Sequence, residues 1–160
     1  GFQKWPDENS GLHGEPRRAR RAERASVLVD EDPSFQGSCW FMSRKHWDRT
    51  IGQMDDVSYG HFIYEPQELG LKTWLSGGSV MVNKKTNYHH LYKGTRYGRG
   101  WSKNDARIRD GRLFGIDFWM HDRWPQATRS LRWLIEHFQM PTWPDWDTVE
   151  RHKREYLRAA

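Results

Sequence analysis

The stretch "FIYEPQELGLKTWLSGG", residues 62–78, sets a carboxylate where chemistry is feasible. Glu65 stands just before Pro66 at the mouth of an apolar helical pattern, which Gly77 and Gly78 close. Proline suits the first helical position, because its missing N–H would be unpaired there anyway. A carboxylate at that end faces open N–H groups and the positive end of the helix dipole. Both favour its charged form and keep an acceptor for a proton, or for a hydroxyl, ready at neutral pH. The same position equally suits an ordinary helix cap. One turn further on, Glu68 joins Leu71, Trp74 and Leu75 on the expected inward side. Upstream, Asp55 and Asp56 precede a turn, where they either contact a substrate or cap the turn itself.

These residues need elements to hold them. Residues 1–34 show no sustained periodicity, and "GEPRRARRAER" at 14–24 carries five arginines against two glutamates. That segment reads as a basic arm or linker, either a solvated helix or a phosphate-binding patch. From Phe35 the texture changes, and "SFQGSCWFM" is expected to be a buried strand, with Gly37 where backbone can be closely approached. "SRKHWDRTIG" predicts a short helix capped by Ser43 and stopped at Gly52. "SVMVN" at 79–83 alternates as a strand does, and "YHHLYKGTRYGRGW" is a glycine-punctuated loop rich in aromatic and basic groups. Leu131, Leu134, Ile135 and Phe138 predict an amphipathic helix within 125–139, stopped by Pro141. "DTVE", with capping-box spacing, predicts a last helix from Asp147 towards Leu157. The expected organisation is an arm over 1–34, a catalytic region over 35–124 and a helical extension over 125–160.

With 160 residues the chain has room for one ordinary domain. Its 26 Lys and Arg exceed 21 Asp and Glu by five, which favours anionic partners such as phosphates, nucleic acid or acidic lipid heads. Ten Trp, six Tyr and seven Phe imply an aromatic-heavy core. A single cysteine, Cys39, excludes an internal disulfide and fits a reducing compartment. No apolar run approaches the roughly 20 residues that span a bilayer. A cytoplasmic location is expected.

Taken in order, "FQGSCWFMSRKHW", "IGQMDDVSYGHFIYEPQELGLKTWLSGG" and "TNYHHLYKG" resemble the C-terminal half of the catalytic domain in family 2 and related nucleotide-sugar glycosyltransferases of the GT-A fold. The pattern is similar both to polypeptide N-acetylgalactosaminyltransferases and to bacterial and phage family 2 enzymes. Its helix motif, Glu-x-x-Glu followed by Trp and Gly-Gly, is met by Glu65, Glu68, Trp74, Gly77 and Gly78, and its terminal histidine by His90. The resemblance implies an α/β fold, a partial GT-A (Rossmann-like) domain with a small mixed sheet and flanking helices. It implies metal-dependent transfer of a sugar from a nucleotide-diphosphate donor, a UDP-sugar, to an acceptor it does not name.

Glu65 is then the catalytic carboxylate, and His90, beside His89, a ligand to Mn²⁺ or Mg²⁺. Lys93, Arg96, Tyr97 and Arg99 lie on the loop that covers the diphosphate in such enzymes. Gly37 and Ser38 line the floor of the donor-sugar or acceptor site, Trp40 and Trp74 stack on a sugar or fill the core, and Asp55, Asp56 and Glu68 join the substrate side.

The chain departs from the pattern in three places. Pro66 stands where many inverting relatives carry the Asp of a Glu-Asp pair, which leaves the stereochemistry open. Phe62, Ile63 and Tyr64 replace the Trp-Gly-Gly of the polypeptide-modifying relatives. Nothing in residues 1–34 supplies the N-terminal nucleotide-binding half, and "DED" at 30–32 has Asp-x-Asp spacing without the preceding parallel strands. With Gly1 as first residue, this implies a fragment or a subunit, the missing half lying on another segment or chain. The rival expectations are a non-enzymatic nucleic-acid-binding module, drawing on the charge of +5 and the arginine arm, and a structural or assembly module with a degenerate transferase fold.

Overall fold

The computed structural model describes residues 22–35, 37, 39–60, 62–89, 105–140 and 143–159. They form a mixed α/β arrangement in which helices predominate and one small sheet closes an edge. The sheet pairs β1 (Val29–Glu31) antiparallel with β2 (Met81–Asn83), Asp30 lying opposite Val82. Bonds from the Asp32 N–H to the Val80 carbonyl and from the Lys84 N–H to the Leu28 carbonyl extend the ladder. Asp30 is buried, which an isolated carboxylate would not tolerate. It is held between Arg24, at 2.8 Å, and Lys84, at 2.9 Å.

Two sequence expectations change here. The sheet among the described residues is purely antiparallel, not mixed. The strand expected over 34–42 is not formed by its described residues, 34, 35, 37 and 39–42, and β1 lies upstream of them. The reason is burial: Phe41 is 97% exposed, so the apolar run there covers no core.

Ser43 caps α1 (Arg44–His46), which continues as one wider turn over Trp47–Ile51. Gly52, with φ 65°, ends that turn as expected. Next come α2 (Asp56–Tyr59), a 3₁₀ turn (Phe62–Tyr64) and α3 (Glu65–Leu75). The expectation for α3 was one inward side, yet every residue from Pro66 to Leu75 is buried. Its polar side chains are tolerated because each meets a partner. Glu68 and Lys72 pair at 2.7 Å, and Thr73 Oγ1 lies 3.0 Å from His46 Nε2. At its far end the Gly78 N–H reaches back to the Thr73 carbonyl, with Gly77 at φ 86° making the turn. Trp74 fills the core against Phe138, edge to face, and its Nε1 donates to the Asp32 carbonyl at 3.1 Å.

A 16-residue helix, α4 (Asp105–Met120), was not expected from the sequence. Gly111 and Gly115 lie one turn apart on it, and both face Tyr59 of α2. A Cβ on Gly111 would collide with the Tyr59 carbonyl and stand 2.9 Å from Tyr64 Cε2. The absence of side chains lets the two helices meet backbone to side chain. Tyr59 OH then accepts the Trp119 indole N–H at 2.6 Å, and the Tyr64 hydroxyl donates to the Ile108 carbonyl. Burial pushes the Tyr59 hydroxyl above its ordinary range, so it stays protonated.

Gly111→Ala therefore separates two effects of opposite sign. Helix propensity alone would stabilise by about 0.8–1 kcal/mol, whereas overpacking costs about 1–3 kcal/mol or more. A net loss of about 2 kcal/mol is expected in denaturant unfolding. An equally or more stable variant would contradict this packing.

The chain then turns into α5 (Leu131–Phe138) and α6 (Trp146–Ala159). Ser130 caps α5, so the helix starts later than Pro125; the N–H groups of Thr128 and Arg129 instead go to the Leu75 carbonyl. Leu131, Leu134, Ile135 and Phe138 point into the core with Trp119 and Val149. The cap of α6 is Asp145, not Asp147, with the Thr148 N–H donating at 2.8 Å. Those bonds hold the Asp145 carboxyl below its ordinary range.

Candidate active site

Glu65 opens α3, and its carboxylate is turned outward rather than onto its own helix. Oε1 accepts the Trp40 indole N–H at 2.6 Å, across 25 positions of sequence. Gly37 completes the group, because a Cβ there would lie 3.3 Å from Pro66 Cγ and 3.7 Å from Glu65 Oε2. Three residues singled out separately in the sequence thus meet at one surface point. Ser34 anchors the loop that carries two of them, its Oγ lying 3.3 Å from the Pro66 carbonyl.

Phe35 also belongs here, with its ring tilted against Trp40 and centroids 6.0 Å apart. In the sequence Phe35 reads only as part of the expected strand and of the run "FQGSCWFMSRKHW". No spacing in the sequence would have placed it beside Trp40, since the loop is irregular. Cys39 and Phe41 flank Trp40 and are exposed.

The other expected site residues fall into two groups. Asp55 caps α2 by accepting the Ser58 N–H at 2.7 Å, and its own N–H donates to Glu68 Oε1 at 2.9 Å. Asp56 is exposed in the first turn of α2. Glu68 is 2% exposed and holds Lys72, whose Nζ donates to the Gln53 carbonyl at 2.6 Å. Glu68 therefore ties α3 to the loop bearing Asp55. Trp74, open between sugar stacking and core, is in the core. Ser38, His90, Lys93, Arg96, Tyr97 and Arg99 lie outside the described residues.

Carboxylates at 30–32 are engaged elsewhere: Asp30 with Arg24 and Lys84, Glu31 with His137 at 2.8 Å, and Asp32 near the Ser34 N–H. Among the described residues, no group of three His, Cys, Asp or Glu side chains is placed to hold a metal ion. Among the same residues, no helix is long and apolar enough to cross a membrane.

No family model, curated protein or solved structure matches the chain. A carboxylate with one oxygen held by an indole N–H has lone pairs left on the other, so it can take a proton or orient a hydroxyl.

Proposed function

We propose that the chain carries the acceptor side of a GT-A-type glycosyltransferase that moves a sugar from a UDP-sugar to an acceptor hydroxyl. The observation that supports this most is the meeting of Glu65, Trp40 and Gly37: a carboxylate at a helix mouth, oriented by an indole, beside a position free of side chain. The motif order of the sequence adds support from an independent direction.

In the proposed reaction the acceptor oxygen attacks the anomeric carbon, and the bond from that carbon to the phosphate oxygen breaks. Its electron pair leaves with uridine diphosphate. Glu65 takes the proton from the acceptor hydroxyl, as a base within hydrogen-bond reach can do. A divalent cation, Mn²⁺ or Mg²⁺, when bound neutralises charge on the leaving diphosphate. His90 is its proposed ligand, and Lys93, Arg96, Tyr97 and Arg99 the proposed cover of the diphosphate, all on the resemblance alone.

The donor half of this reading has its own test. A usable donor site on this chain would show as a rise in Tm with uridine diphosphate and Mn²⁺ over the same sample in chelator, by a ligand binding the folded state only. No shift would place the nucleotide-binding half on another segment or chain or count against the catalytic reading. At about 100 times Kd the gain is about 2.7 kcal/mol. His90→Ala is expected to abolish the rise. A rise of equal size in the variant would remove His90 from the metal site.

A further inference from the structure

The two oxygens of Glu65 have different surroundings. Oε1 accepts the Trp40 N–H, while Oε2 is the one nearest the empty side-chain position of Gly37. Among the described residues, Oε2 accepts no hydrogen bond. Trp40 is anchored at its N–H and lies against Phe35, yet 36% of it remains exposed. An indole fixed by its edge and still open beside a carboxylate is a platform with an acceptor at its rim.

We infer that Trp40 is a positioning residue for Glu65 and that the acceptor is a saccharide, which lies on the exposed indole and presents its hydroxyl to Oε2 over Gly37. This rests on the Glu65 reading above and goes further by naming the acceptor class and the residue that aims the base. A sugar ring carries a patch of C–H groups with hydroxyls at its edge. It matches an aromatic surface beside a group that only accepts hydrogen bonds. The hydroxyl of a serine or threonine brings no such ring-sized apolar face. Gly37 fits the same geometry, because any side chain there would stand against Pro66 and Oε2, in the path of the hydroxyl.

Trp40→Phe keeps an aromatic face and removes the N–H; Trp40→Ala removes both. Transfer is measured on the full chain with UDP-glucose, UDP-galactose and UDP-N-acetylglucosamine as donors. The acceptors are the methyl glycosides of glucose, galactose and N-acetylglucosamine, with a threonine peptide alongside. Trp40→Phe is expected to lower kcat about 10- to 100-fold, with acceptor KM changed less than about threefold, the signature of a misaimed group. Trp40→Ala is expected to lose the same in kcat and to raise acceptor KM about tenfold, from the lost stacking.

A wild-type kcat in Trp40→Phe, with Glu65→Gln inactive, overturns the positioning role and leaves the Glu65 reading intact. Full activity in Glu65→Gln overturns that reading itself. Transfer to the peptide and to none of the methyl glycosides overturns the saccharide assignment. A readout independent of turnover is the Trp40 indole N–H resonance in ¹H–¹⁵N spectra, identified by its loss in Trp40→Phe. It is expected to move in Glu65→Gln, and an unmoved resonance overturns the hydrogen bond and the proposal with it.

Discussion

Glu68→Ala is expected to cost about 3–5 kcal/mol of stability, the usual penalty for removing one partner of a buried ion pair. For a chain of this size the Tm should fall by roughly 6–20 °C. The size follows from what is left behind. Lys72 is 7% exposed and loses its carboxylate, retaining the Gln53 carbonyl as its close acceptor. The Asp55 N–H loses Glu68 Oε1 at the same time, which loosens the entry to α2. Replacing both Glu68 and Lys72 by leucine should cost less than the single change, because no charge is stranded. A double-mutant cycle by urea unfolding measures the coupling. A loss below about 1 kcal/mol in Glu68→Ala would show that the charge of Lys72 is met by other means.

Glu65→Gln is expected to lower the transfer rate about 10²–10⁴-fold, the range for loss of a positioned general base. Stability should hardly change, since the side chain is only partly buried and glutamine keeps an oxygen to accept the Trp40 N–H at 2.6 Å. This pairing of effects separates the two roles that the sequence leaves open for Glu65. A helix cap would show itself as a stability loss of about 0.5–2 kcal/mol. No side-chain cap bond is made at the start of α3, where the flanking residue is Tyr64.

How much of this was legible in the sequence depends on how local its cause is. The span of α3, the Ser43 cap and the stripe from Leu131 to Phe138 rest on spacings of three and four residues, which a single helix reveals. By contrast, α4 was hidden by Gly111 and Gly115, which weaken helix propensity and are explained by Tyr59, 52 positions upstream of Gly111. The strand β1 was hidden by its charge. Asp30 can be buried there because Lys84 reaches it from the far side of the sheet. The strand expected from Ser34 to Met42 failed for the complementary reason, since nothing in a run of apolar letters says that Phe41 faces solvent.

The site was legible as a set of residue types and not as a geometry. Glu65, Trp40 and Gly37 were each singled out, but their meeting depends on an irregular loop held by Ser34 and Phe35. Such loops have no period to read. Glu68 was placed with the substrate groups by motif order, and its 2% exposure follows from α3 being enclosed on all sides.

The most direct measurement is release of uridine diphosphate from a set of UDP-sugars with a saccharide acceptor and Mn²⁺, run on the wild-type chain and Glu65→Gln with their Tm values matched. The account predicts acceptor-dependent release by the wild type and a loss of at least about 100-fold in the variant at equal Tm. Equal release by the two chains would contradict it, whereas none by the wild type from any donor would place the nucleotide-binding half on another segment or chain.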